Sequence, residues 1–324
     1  MVSIIIPVYN GEACISDCLE SILCQKNVVF EVLVIDNKST DNTASIIKEY
    51  SKTDPRIKYL FCEESGVSCA RNLGITSARY DFIFFIDGDD LFFPDTLPVL
   101  LNNALEYKSD ITFSSIELFK NNKSVVYLGG RKSVYAEKKD IPAFFSDELP
   151  SYVCFNVFKL YKKSFILNNN IAFDLNMSLG EDLIFSLKCF SLAKKIFYNS
   201  RPLYKYRLTN QGLNMKYRPN MIEIKLYLQN EIKKYLIENN VFNDNYYMIL
   251  INEIYKMLLN EKKTENGNLE KVLNLDCIKE LTNSRIFRRL PIKKKILFVI
   301  LKYKFHSVLQ LVLSWRVKHE HLKA

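Results

Sequence analysis

The chain has 324 residues, 48% of them hydrophobic and 25% charged, with 45 Lys/Arg against 36 Asp/Glu for a formal charge of +9. That length implies one large domain plus an appendage, and an ordinary composition without low-complexity text argues against a disordered or fibrous chain. The charge is uneven: residues 1–100 hold 8 Lys/Arg and 15 Asp/Glu, whereas the remainder holds 37 against 21. The acidic end makes a poor nucleic-acid surface and a suitable cation site, and the basic end suits an anionic surface.

Eight cysteines occur, with no Cys-x-x-Cys and no neighbouring histidine pair. Buried thiols are therefore expected, not a zinc site. His306, His319 and His321 are the only histidines. The chain opens on a strand pattern with no signal peptide, so a cytoplasmic location is expected.

Val2–Val8 is a continuous apolar run that predicts a strand buried on both faces. Cys14, Cys18, Leu19, Ile22 and Leu23 then share one helical face. Phe30–Ile35 reads as a second strand, and Asp41–Tyr50 as a helix opened by the polar cluster Ser39-Thr40-Asp41. A third strand is expected at Ile57–Phe61, a helix at Val67–Ala78 and a fourth strand at Phe82–Ile86. Pro94 starts another helix, with Leu97, Leu100, Leu101 and Leu105 on its inner side.

Strands separated by helices of this length predict an α/β fold with a doubly wound, mostly parallel sheet. Ligands of such sheets bind beyond the carboxyl ends of the strands, where the polar clusters after strands two and four fall. The middle of the chain mixes short strands at Ile111–Leu118, Val125–Leu128, Phe155–Tyr161 and Ile196–Tyr198 with a helix beginning near Glu181. From about residue 215 the text turns helical and Lys- and Asn-rich. The expected division is 1–212 for nucleotide binding and catalysis, and 213–324 for a helical, basic region.

The strongest local signal is Asp87-Gly88-Asp89-Asp90, directly after an apolar strand. Three carboxylates in four residues repel one another unless a cation lies between them, and hard oxygen ligands suit Mg²⁺ or Mn²⁺ completed by diphosphate and water. A charged turn capping a helix is the plainer explanation of the same text. Asp36 ends the second strand at the same edge, where it can accept hydrogen bonds from a base or ribose, or simply cap a turn.

The segments Val2–Asn10, Val34–Thr43, Gly66–Ile75, Phe85–Asp90 and Gly180–Phe185, in this order, resemble the family 2 glycosyltransferases over about residues 1–210. The resemblance implies a GT-A fold and an inverting transfer of a hexose-type sugar from a UDP-sugar. It implies that Pro7 and Tyr9 line the nucleotide pocket, Asp36 bonds the uracil, and Arg71 contacts base or diphosphate as a permanently charged planar fork. It further implies that Asp87 holds the ribose and shares the metal with Asp89, that Asp90 shapes the loop, and that Asp182 is the catalytic base. Glu181 beside it would raise the proton affinity of Asp182, although an acidic first turn is also favourable with a helix dipole. Arg207, in Tyr204-Lys205-Tyr206-Arg207, is assigned to the donor phosphates, with a packed surface arginine as the alternative.

Departures from the family pattern are Asn37, where many relatives carry a second Asp, and Lys38 in place of a small Gly. A sugar nucleotidyltransferase is disfavoured because no Gly-rich basic loop follows the first strand, and a hydride-transferring enzyme because no Gly-x-Gly-x-x-Gly does. A non-catalytic nucleotide-binding scaffold is disfavoured by the presence of Asp87, Asp89 and Asp182.

Residues 285–324 carry eleven Lys/Arg and one acid, Glu320, interleaved with apolar residues and Trp315. Their uncharged runs fall short of the ~20 residues a membrane span needs. They suit a segment lying on the anionic inner face of the cytoplasmic membrane, with a bundle packed on the protein as the alternative. Such contact would suit a saccharide acceptor carried on a lipid, as in O-antigen or capsule assembly.

Overall fold

A computed structural model describes residues 1–121, 123–130, 132–148, 157–208 and 220–263, together with 295 and 299. The chain divides into two compact units, Met1–Leu213 and Asn214–Ala324.

The first unit is built on a ten-stranded sheet. Its first strands are β1 (Val2–Val8), β2 (Phe30–Asp36), β3 (Ile57–Phe61) and β4 (Phe82–Phe85). They lie in the order β3-β2-β1-β4, and every neighbouring pair among them is parallel. Every residue of β1, β2 and β4 is buried, as continuous apolar runs require. The order reverses at β1, which puts a topological switch point beyond the carboxyl ends of β1 and β4.

The sheet continues through β9 (Lys159–Lys162), β6 (Ile111–Lys120), β10 (Lys195–Arg207) and β5 (Leu91–Phe92). Strand β9 runs against both β4 and β6, whereas β10 is parallel to β6. Thus β1, β2, β3, β4, β6 and β10 all point to one rim. The remaining strands, β7 (Lys123–Leu128) and β8 (Val134–Glu137), pair antiparallel with β6 and β10.

Helices α1 (Ile15–Leu23), α2 (Thr43–Thr53), α3 (Val67–Ser77) and α4 (Thr96–Tyr107) alternate with the early strands. Helix α3 lies very close to β1. A Cβ added at Gly74 would meet Ile5 Cγ2 at 2.4 Å, so only glycine permits that approach. On α4 the buried residues are Thr96, Leu97, Leu100 and Ala104, while Leu105 is 57% exposed and Leu101 is half-buried. The inward face is therefore rotated from the expected Leu97-Leu100-Leu101-Leu105 set.

Beyond the expected elements stand α5 (Ile141–Glu148) and α6 (Lys163–Asn168). Helix α7 (Glu181–Leu192) follows Gly180, whose φ of 80° is the left-handed conformation that glycine adopts freely. Among the described cysteines Cys18, Cys62 and Cys189 are buried thiols, but Cys24 is exposed.

In the second unit α8 (Met221–Glu238) and α9 (Asp244–Lys263) are the described helices. They are joined by an ion pair of 3.1 Å between Lys225 and Glu253. No helix among the described residues is long and apolar enough to cross a membrane. The basic segment 285–324, with its expected membrane contact, lies outside the described residues apart from 295 and 299.

Candidate active site

Four strands deliver the expected residues to one rim. Pro7 is buried near the end of β1, opposite Ile35 in register, and Tyr9 lies just beyond, 62% exposed. Asp36, the last residue of β2, is 2% exposed. Its carboxylate accepts from the Ser39 amide at 2.9 Å and the Tyr59 hydroxyl at 3.0 Å. Burial and that contact push the Tyr59 hydroxyl up to about 12. Asp36 thus anchors its own turn, a role that the sequence had offered as the alternative to base contact.

The loops after β1 and β2 are laced together. The Asn10 side-chain Oδ1 accepts from the Thr40 amide, the Gly11 amide donates to the Thr43 hydroxyl, and the Asn42 amide donates to the Glu12 carboxylate. Asn37, a departure from the family pattern, works in both directions. Its side-chain amide donates to the Glu64 carbonyl at 2.8 Å and its oxygen accepts from the Gly66 amide at 2.8 Å. An aspartate has no donor for the first of these bonds. Lys38 sits at φ 65°, where a glycine would be unstrained.

The acidic run after β4 is divided by environment. Asp90 is 1% exposed and accepts from the Tyr204 hydroxyl at 2.6 Å and the Arg207 amide at 2.8 Å. Burial, then the charges of Asp89 and Asp87, raise it well above the usual carboxylate range, so it serves as an internal tie to β10. Asp89 is pushed up to about 6, by burial first and the Asp87 charge second. Asp87, about one-third exposed in its side chain, receives a guanidinium nitrogen of Arg71 at 3.1 Å.

Arg71 links motifs that lie far apart in the chain. It is 5% exposed; its other terminal nitrogen donates to Glu181 at 2.9 Å, while its buried Nε has no partner among the described residues. Burial opposes its charge, but Asp87, Glu181 and Asp182 outweigh burial and raise its pKa. The sequence foresaw a cation here yet missed the Arg71–Glu181 pair, because no local pattern encodes a contact across 110 positions.

Asp182 is half-buried in the first turn of α7 and accepts from the Leu183 amide at 2.8 Å. Burial, with the neighbouring Glu181 charge second, pushes it up to about 6. Arg207 ends β10; its Nε donates to the Asp89 carbonyl at 2.7 Å and Nη2 meets Asp17 at 3.1 Å. The acidic turn after β4, Arg71 of α3, the first turn of α7 and the end of β10 are thus interlinked, whereas Pro7, Tyr9 and Asp36 lie at the same rim outside that network.

Among the described residues no three His, Cys, Asp or Glu side chains are grouped to hold a metal. The donor set is two nearby carboxylates, Asp87 and Asp89, the second of which holds its proton tightly because it is buried beside the first. That fits a hard divalent cation completed by substrate phosphate and water, not a closed protein cage.

In a doubly wound α/β sheet ligands bind beyond the carboxyl ends of the strands at the switch point, which is where these acidic residues stand. The chain belongs to glycosyl transferase family 2, whose description matches residues 3–167. It is 32% identical to glycosyltransferase GlyA of Streptococcus pneumoniae serotype 4 over 66% of this chain but only 31% of GlyA. It is 30% identical to putative glycosyltransferase EpsH of Bacillus subtilis over 86% of this chain and 82% of EpsH. The crystal structure of S. aureus TarS 1-349 in complex with UDP superposes with a TM-score of 0.64 at 20% identity, covering 98% of this chain and 91% of that one. That likeness establishes the GT-A type of fold.

Proposed function

We propose that the protein transfers a hexose-type sugar from a UDP-sugar to an acceptor hydroxyl with inversion of configuration. The observation that carries this reading is the bridge Asp87–Arg71–Glu181, which joins the acidic turn after β4 to the start of α7, next to Asp182. The UDP in the TarS complex supports uridine diphosphate as the donor carrier.

In this reading exposed Tyr9 and buried Pro7 border the uracil, on the turn that Asp36 anchors, and Asp87 meets the ribose. Asp89 and Asp87 would hold Mn²⁺ or Mg²⁺, which when bound supplies positive charge to the diphosphate. Arg71 places a permanent charge beside the same group. Arg207, held against the Asp89 carbonyl, adds a second guanidinium there. Asp182 takes the proton of the attacking hydroxyl as the new glycosidic bond forms on the face opposite the departing UDP. Its raised proton affinity suits a base that works near neutrality.

We assign catalysis to residues 1–212. To 213–324 we assign contact with an anionic membrane on its cytoplasmic face, and hence a lipid-linked oligosaccharide of surface polysaccharide as acceptor. The basic text of 285–324 supports that assignment. The test is a panel of UDP-sugars incubated with the full chain and Mn²⁺, scoring UDP release with and without saccharide acceptors. Release from one donor, stimulated by acceptor, is expected; silence across the panel would remove the UDP-sugar reading.

A further inference from the structure

A cavity of about 540 Å³ opens at the end of the sheet opposite the acidic rim. Its walls are the approach to β4 (Arg79–Phe82), the carboxyl end of α4 and the junction of β9 with α6. Four cations line it, Arg79, Lys108, Lys162 and Lys163, against one acid, Asp81.

Two of the four are engaged internally. Arg79 donates to the Tyr80 hydroxyl at 2.7 Å and lies 3.9 Å from Glu31, and Lys163 donates to the Ala78 carbonyl. Lys108 and Lys162 are exposed, and among the described residues neither ammonium has a hydrogen-bond or ion-pair partner. Lys108 caps α4 at φ 48°, a left-handed position that glycine or asparagine normally fills. Lysine there carries backbone strain that glycine would avoid.

The rest of the wall is apolar. Leu105 and Leu167 are 57% and 47% exposed at the cavity, among the largest exposed apolar side chains of the unit. Unpaired ammonium groups beside bare leucines match a ligand that carries a phosphoryl anion on a hydrocarbon body. Neither half of that wall accounts for the other if the occupant is a simple anion or a neutral apolar molecule.

We propose that this groove binds the phosphoryl headgroup and first methylenes of an anionic lipid, with Lys108 and Lys162 on the phosphate and Leu105 and Leu167 on the chain. The catalytic unit would then hold a membrane lipid itself, at the end of β4 remote from Asp87. This does not rest on the transfer reaction: failure of the UDP-sugar panel leaves it standing, and its own failure leaves the panel unaffected.

The test is calorimetric titration of the full chain with monomeric dihexanoyl phosphatidylglycerol, with dihexanoyl phosphatidylcholine and inorganic phosphate as separate arms. Hydrogen exchange at residues 104–109 and 162–168 reports occupancy of the groove apart from any binding by the basic tail. The phosphatidylglycerol should bind and slow exchange at both segments, phosphate should bind far more weakly, and phosphatidylcholine should not compete. Lys108→Gln with Lys162→Gln should weaken the lipid about 30-fold, at a tenfold per 1.4 kcal/mol and about one such lysine contribution each. Leu105→Ser with Leu167→Ser should weaken the lipid and leave phosphate unchanged. Affinity and exchange indifferent to the lysine pair would overturn the site. Phosphate binding as tightly as the lipid, untouched by the leucine pair, would overturn the lipid in favour of a free anion.

Discussion

Strand β4 is only four residues long, yet its two ends face opposite chemistry. At its carboxyl end Asp87, Asp89 and Asp90 crowd together, and the protein answers them with Arg71, Arg207 and Tyr204 drawn from other elements. At its amino end the charge is positive, and two lysines, Lys108 and Lys162, have no ion-pair partner among the described residues. The difference is instructive because both ends belong to one rigid sheet. A partly compensated carboxylate cluster fits the divalent cation proposed for the donor diphosphate, whereas ammonium groups beside leucines fit the anionic lipid proposed for the groove. The first arrangement is organised around chemistry, the second around attachment.

The comparison is most sharply tested at Asp182. Asp182→Asn should lower the transfer rate by about three orders of magnitude, within the range for losing a general base, and leave UDP affinity nearly intact. An equal loss of UDP affinity would move Asp182 from chemistry to binding. Asp89→Ala should weaken Mn²⁺-dependent UDP binding tenfold or more, measured by calorimetry with and without the ion. Unchanged affinity would leave the acidic end without its cation.

Titration gives an intermediate effect. Asp182 must be ionised to accept a proton, and its pKa is raised to about 6. The rate should therefore fall about tenfold per unit as pH drops below about 6 and level off above it. A limb near 4 would show that burial and Glu181 do not act on the working base. The smallest effect concerns the turn beside Asp36. Relief of the left-handed strain at Lys38 by Lys38→Gly, offset by glycine's added freedom when unfolded, should stabilise the protein by about 0.5 kcal/mol in denaturant melts.

The parallel part of the fold was readable in the sequence because β1, β2 and β4 are buried on both faces and so spell largely apolar runs, broken inside only by Ser3 and Glu31, which hydrogen-bond to each other. The site residues at their ends were readable for the same reason, since in a doubly wound sheet the strand ends fix the rim. Strand β10 was read only as Ile196–Tyr198, because Asn199-Ser200-Arg201-Pro202 looks like its end. The structure carries the strand on to Arg207 through register shifts around Pro202, where a residue without an amide proton is tolerated. That continuation brings Tyr204 and Arg207 to the acidic turn. Strands β5 and β8 are too short for periodicity to register. The face of α4 was misjudged at Leu105 because a leucine that lines a groove looks, in text, like a leucine in a core. The Arg71–Glu181 pair and the two-way clasp of Asn37 are long-range contacts that one sequence does not announce.

That clasp has a consequence for how the protein ages. Hydrolysis of the Asn37 side chain to a carboxylate would keep the acceptor for the Gly66 amide but set a negative oxygen against the Glu64 carbonyl. The stretch leading into α3, the helix that carries Arg71, would then be fastened on one side only. The expected mark of this single deamidation on storage is a loosened loop before α3, with the other acidic residues of the rim unaltered.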